Sequence, residues 1–328
     1  MKMLQTQQPL VHIRTPTYKR GDALRRCLQS MVDQTWQNWV CDVYDDDPAQ
    51  SGRKVVQGLG DARVHYNANV PQKFASRNID ACFSRDNPHD AQYFCVVEDD
   101  NLILPDFIRD NIRICNDHNV QIVFRNQLIE YASGTDHARL SETGILEEKY
   151  REGTYDPATF RLSLLADIGV SNGGLFWGSD AVTDLEIGVD CTATLQEYMR
   201  TYAITEPIYV ALHPLAIWAE NGKDTTRDLG NATSYLRREL DLKRAIQKLQ
   251  RNAWRRGHTA DFIKTDRFAF DPEKRATGLV KALISLNTGN ALGLYQKLRL
   301  LARGLLIQTV GRTDDSLDHF IERHNGQI

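Results

Sequence analysis

The sequence contains no apolar run near the ~18 residues that a membrane-crossing helix needs, and its first ten residues, MKMLQTQQPL, lack the apolar core of a secretory signal. No G-x-G-x-x-G and no G-x-x-x-x-G-K-[ST] is present, which counts against a dinucleotide-binding fold and a P-loop. Cysteine is sparse and unpatterned. Cys27, Cys41, Cys82, Cys95, Cys115 and Cys191 form no C-x-x-C pair, and no histidine cluster accompanies them along the chain. Neither a disulfide framework nor a cysteine-based zinc site is expected, and a reduced, cytoplasmic protein is the simplest reading. Internal repeats and low-complexity segments are also missing.

What is present is ordinary for a globular chain. Of 328 residues, 41% are apolar and 25% charged. The formal net charge of -3 hides an uneven distribution. From Thr233 onward there are 18 Lys and Arg against 10 Asp and Glu, which leaves 22 against 33 before it. An acidic body of residues 1–232 is therefore followed by a basic, mostly helical region of residues 233–328. The basic helices suit contact with an anionic membrane surface, a second copy of the chain, or the acidic body itself. The acidity of the body argues against a nucleic-acid partner.

The first 125 residues alternate between strand and helix patterns. Strands are expected at 10–15, ended by Pro16, and at 39–44, 62–66, 92–97 and 120–124. Helices are expected at 22–34, 72–84 and 105–118. Further on, a helix is expected near 192–203 and a strand near 207–212. Such alternation implies a mostly parallel sheet with helices on both faces. In sheets of this kind ligands bind at the carboxyl ends of the strands. Two acidic clusters fall at such ends: Asp45-Asp46-Asp47 and Glu98-Asp99-Asp100. Carboxylates at a strand end suit a nucleotide with a hard divalent cation. A plainer reading is that they are turn-forming residues that cap the next helix.

Four signals in order strengthen the first reading. They are Thr15-Pro16-Thr17-Tyr18-Lys19-Arg20, then Gln34-Thr35, then Arg77-Asn78, then Val97-Glu98-Asp99-Asp100-Asn101-Leu102-Ile103-Leu104-Pro105. Together they resemble the opening of the inverting GT-A glycosyltransferases of family 2. Lys19 stands where that family usually has Asn, and Glu98 stands at the first acidic position of its D-x-D. The resemblance implies a GT-A, Rossmann-like, mixed but mostly parallel sheet flanked by helices, with a C-terminal helical extension. It also implies a nucleotide-sugar donor, most simply UDP-linked, a saccharide or lipid-linked acceptor, inversion, and Mn²⁺ or Mg²⁺.

By the same resemblance Asp100 and Glu98 are the expected metal ligands, and His213 and Asn221 are the two candidates for a further metal or phosphate ligand. Asp45 and Asp46 are expected to read the base, Tyr18 to stack on it, and Arg77 to meet the diphosphate. Thr15, Pro16 and Asp99 complete the expected nucleotide site. The general base is expected after the Gly173-Gly174 turn. Glu197 is the first candidate and Asp190 the second. Two other readings stay open on sequence alone: a nucleotidyltransferase, although its Gly-rich loop is missing, and a non-catalytic GT-A-like module that only binds a nucleotide or saccharide. His12 and Arg14 are foreign to a central parallel strand, which is normally apolar on both faces, so they need partners or an unusual covering.

Overall fold

The computed structural model describes residues 8–166, 169–220, 232–256, 268 and 293–326. Strands β1 (Val11–Thr17), β2 (Trp39–Asp45), β3 (Val64–Ala68), β4 (Tyr93–Val96), β5 (Leu102–Ile103), β6 (Ile122–Tyr131), β9 (Leu175–Gly178) and β10 (Ile208–Glu220) form one sheet in the order β3-β2-β1-β4-β9-β6-β10-β5. Short strands β7 (Arg139–Leu140) and β8 (Gly153–Tyr155) pair with β6 and β10. β3, β2, β1 and β4 run parallel, as do β6 and β10, and antiparallel β9 joins the two groups. The six main strands therefore share one direction. The sheet is mixed but mostly parallel, as expected. The strand order reverses between β1 and β4, so their carboxyl ends open a crevice of the kind in which such sheets bind ligands.

Helices α1 (Gly21–Val32), α2 (Ser51–Leu59) and α4 (Phe107–His118) cover one face of the sheet. They enclose Val11, Ile13, Cys41, Val43, Cys95 and Val97. The other face packs Phe94, Val96, Phe124 and Trp177 against the segments around 82–91 and 146–185. β1 runs through Pro16 and ends at Thr17, two residues past the expected end at Thr15. Arg14 is the last residue of β1 to pair with β4, and Pro16, two residues on, faces the same side. Its missing N–H therefore breaks no ladder bond.

α3 (Ala75–Ala81), α5 (Pro157–Arg161) and α6 (Ala193–Ala203) complete the body. The basic region forms α7 (Ala232–Arg256), α8 (Leu294–Val310) and α9 (Asp315–Asn325). α7 and α9 share a core with the body. Leu249, Ala253, Phe320 and Ile321 pack with Leu164, Met199 and Tyr202. α8 leaves Leu294, Tyr295, Leu298 and Leu305 exposed. No helix among the described residues is long and apolar enough to cross a membrane. All six cysteines are free.

Candidate active site

The crevice is built from the ends of β1 and β4. Asp99 bridges them: its Oδ2 accepts from Thr17 Oγ1 at 2.8 Å and from the Tyr18 amide at 3.3 Å. The neighbouring turn places Lys19 at φ 59°, in the left-handed region. Asn tolerates this conformation better than most residues, which rationalises the residue usual there in the resembling family. Beyond the turn, the Arg20 guanidinium lies 3.4 Å from Asp99 and hydrogen-bonds Asp100. Arg20 Nε is buried with no hydrogen-bond partner among the described residues.

Three carboxylates thus stand side by side with one cation among them. Burial pushes Asp99 up to about 7, against the pull of Arg20 and with the push of Asp100. Burial also raises Glu98, and the charge of Asp100 adds to it. Desolvation and like charge each penalise the ionised form, and a divalent cation would relieve both. All three acids offer hard oxygen donors of the type that Mn²⁺ and Mg²⁺ prefer. These residue types fit the implied metal, which Asp100 and Glu98 would hold. Asp99 is taken up by joining the two strand ends.

Glu98 is oriented from behind. Asn101 Nδ2 donates to one oxygen at 3.0 Å and Asn172 Nδ2 to the other at 3.1 Å. Asn172 lies in the glycine-rich turn, and Gly174 lets that turn approach β6. A Cβ there would fall 2.8 Å from the Arg125 carbonyl and 3.0 Å from the Phe124 ring. Asn172 in turn accepts from Arg200 at 2.7 Å. Arg200 is fully buried, pairs with Asp80 at 2.6 Å and donates to the Leu185 carbonyl at 3.0 Å. Its guanidinium lies 3.8 Å from the Phe83 ring centre. Arg200→Met should strand the buried Asp80 carboxylate and cost about 3 kcal/mol, the scale of a broken buried pair. Urea unfolding checks this, with a clear fall in the midpoint expected.

The expected nucleotide residues divide into two groups. Asp45 and Asp46 do sit at the end of β2, but each carboxylate already serves the local backbone. Asp45 accepts from the Asp47 and Gly52 amides at 3.0 and 2.9 Å and from the Tyr66 hydroxyl at 3.0 Å. Asp46 accepts from the Lys73 and Phe74 amides, both at 2.7 Å, and so clamps the 69–74 loop. Tyr18 is at the crevice with Lys19 Nζ 4.9 Å from its ring centre. Thr15 is fully buried, and its hydroxyl lies 3.7 Å from Cys41 Sγ, away from the crevice. The side chain that reaches the site from this strand is Thr17, because alternate strand residues face opposite sides of the sheet.

The two base candidates are separated. Asp190 precedes α6, and Arg77 of α3 donates to it at 2.6 Å. Both side chains are well exposed, 62% for Arg77 and 70% for Asp190. Glu197 is in the second turn of α6, later than the helix start expected for it. A Cβ on Gly169 would come within 2.9 Å of the Glu197 Cβ, so this side of α6 faces the 169–170 segment. The neighbouring Gln196 instead reaches Ser76 of α3, at 3.1 Å from its carbonyl. His213 lies at an irregularity in β10 between Ala211 and Ala216. It is exposed, and its carbonyl accepts from Arg125. Asn221 lies outside the described residues.

Sequence reasoning missed Arg20, Asn172 and Arg200 as parts of the site. Arg20 was already inside the quoted Thr15–Arg20 motif, and Asn172 inside the glycine-rich turn. Arg200 had no local signal.

Residues 13–166 match the family model described as Glycosyl transferase family 2. Among solved structures, the chain resembles S. aureus TarS 1–349 in complex with UDP-GlcNAc, at 12% identity over 96% of this chain and 91% of that one, with a TM-score of 0.55. It likewise resembles S. aureus TarS 1–349 in complex with UDP, at 12% identity over 97% and 92% of the two chains, with a TM-score of 0.51. A search of curated proteins finds no match.

Proposed function

We propose that the chain is a family 2 glycosyltransferase, the family whose model residues 13–166 match, and that it transfers a sugar from a UDP-linked donor to a saccharide or lipid-linked acceptor with inversion. The observation that carries this reading is the grouping of Glu98, Asp99 and Asp100 opposite Arg20 across the β1–β4 crevice. UDP or UDP-GlcNAc in the TarS complexes supports a uridine nucleotide by analogy of fold. A divalent cation held by Asp100 and Glu98 would neutralise charge as the diphosphate departs.

The chain's own residues supply the rest. Tyr18 offers a face for the base, as aromatic rings do for nucleobases. Asp45 and Asp46 shape that pocket by fixing α2 and the 69–74 loop. Arg20 and Arg77 meet the diphosphate oxygens. Asp190 takes the acceptor proton as the acceptor oxygen attacks the anomeric carbon and the bond to the diphosphate breaks. Its exposed pair with Arg77 is no obstacle, since such pairs are worth only ~0–1 kcal/mol. A diphosphate drawing Arg77 away leaves the Asp190 carboxylate free to act.

The reading is tested by incubating the protein with a panel of UDP-, GDP- and CMP-linked sugars and Mn²⁺ and measuring release of the free nucleotide. Release from one or more UDP-sugars, suppressed by EDTA, is the expected result. Release confined to GDP- or CMP-sugars would overturn the donor assignment. Binding with no turnover for any acceptor would favour a non-catalytic module.

A further inference from the structure

His12 and Arg14, out of place on a central strand, belong to a second polar cluster remote from the crevice. His12 lies five residues before Thr17, about 16 Å away at ~3.3 Å per strand residue. Three neighbouring strands contribute to the cluster: His12 from β1, Asp42 from β2 and His65 from β3, with Asp42 opposite His65 in the register. His89 covers them from the segment before β4. His12 Nε2 lies 2.9 Å from Asp42 Oδ2, and His89 Nε2 lies 3.0 Å from the same oxygen. His65 Nδ1 is 3.5 Å from the other oxygen. The ligand atoms of His12, Asp42 and His89 lie within 4.8 Å of one another.

We propose that His12, Asp42 and His89 form a binding site for a borderline divalent transition metal, with Zn²⁺ as the reference ion and His65 beside the fourth position. Two imidazole nitrogens and a carboxylate are a common zinc donor set. At metal–ligand distances of ~2.0–2.2 Å, tetrahedral ligands sit about 3.3 Å apart. The 2.9 and 3.0 Å separations from Asp42 are close to this, and the two imidazoles are within 4.8 Å of each other.

Arg14 also builds the covering. It donates to the carbonyls of Cys82 at 3.1 Å, Ser84 at 2.6 Å and Asp86, which ties the 82–86 segment over the cluster. Its fourth contact, Nε to His12 Nδ1, is long at 3.4 Å. Metal on Nε2 places the remaining imidazole proton on Nδ1, so that contact must lengthen while the three carbonyl bonds stay. The bound ion would fasten three strands and the covering segment together. The hard-oxygen crevice and this nitrogen-rich site would then select different metals.

The test uses the full chain, stripped with a chelator and titrated with Co²⁺, whose visible d–d bands report four-coordinate nitrogen and oxygen ligation. One equivalent should produce those bands, and Zn²⁺ should abolish them where Mg²⁺ does not. Asp100→Ala should keep the bands, whereas His89→Ala and Asp42→Asn should lose them. His89 keeps some solvent contact, so His89→Ala should fold, and circular dichroism checks that. Absence of the bands in the wild-type chain would overturn the proposal. So would bands that vanish in Asp100→Ala and survive in His89→Ala, because the ion would then lie in the crevice.

Discussion

Asp100→Ala is expected to reduce sugar transfer by roughly 10³-fold or more while the protein stays folded, since the loss is one of transition-state charge stabilisation. Asp100 hydrogen-bonds Arg20 across the ends of β1 and β4, and the expected loss is in the chemistry of the site. Initial rates over a range of Mn²⁺ concentrations, with circular dichroism as the folding control, check this. Full activity of the variant in the presence of EDTA would remove both the metal and Asp100 from the mechanism. Asp99→Ala is a useful contrast. Asp99 joins the ends of β1 and β4 through Thr17 and Tyr18, so that variant should lose stability as well as activity.

The second large effect distinguishes the two base candidates. Asp190→Asn should lower turnover by about 10²–10⁴-fold and leave UDP affinity nearly unchanged, because a general base acts on the acceptor. Glu197→Gln should keep most of the turnover, since its side of α6 packs against Gly169. Single-turnover rates and UDP calorimetry on both variants make the comparison. The opposite pattern would place the base on α6 and make the Asp190–Arg77 pair a surface contact only.

The central sheet was readable because its signals are local. Apolar strands ending in acids, at regular spacing, require no knowledge of distant contacts, and β1, β2 and β4 lie within a few residues of their expected places. The chemistry at the ends of β1 and β4 was readable for the same reason, and Glu98, Asp99 and Asp100 do meet there. Helix α2 was not expected. Its stretch SGRKVVQGL has two glycines and few apolar residues, and its N-terminus is capped from a distance by Asp45 on Gly52. A Cβ on Gly52 would sit 2.9 Å from that carboxylate, so the glycine that weakens the helix pattern is what allows the cap. Asp45 and Asp46 were correctly placed, but their work for the backbone is a tertiary fact that no spacing reveals.

The same limit applies to the C-terminal half of the site. Arg200 on α6 reaches Asp80 120 positions earlier, and through Asn172 it orients Glu98. Nothing near Arg200 in sequence marks it. His213 lies at the β10 irregularity, where its carbonyl accepts from Arg125, a contact that no sequence neighbour announces. The foreign residues of β1 did signal something real. His12 and Arg14 find partners in Asp42, His89 and the 82–86 carbonyls, none of which is adjacent in sequence.

The claim that the β1–β4 crevice binds a nucleotide diphosphate with a divalent cation is tested most directly by titrating UDP into the wild-type protein by calorimetry, with Mn²⁺ and then with EDTA. The account predicts saturable binding with Mn²⁺, weakened at least about tenfold by EDTA and by Asp100→Ala. UDP binding of equal strength in all three conditions would contradict it.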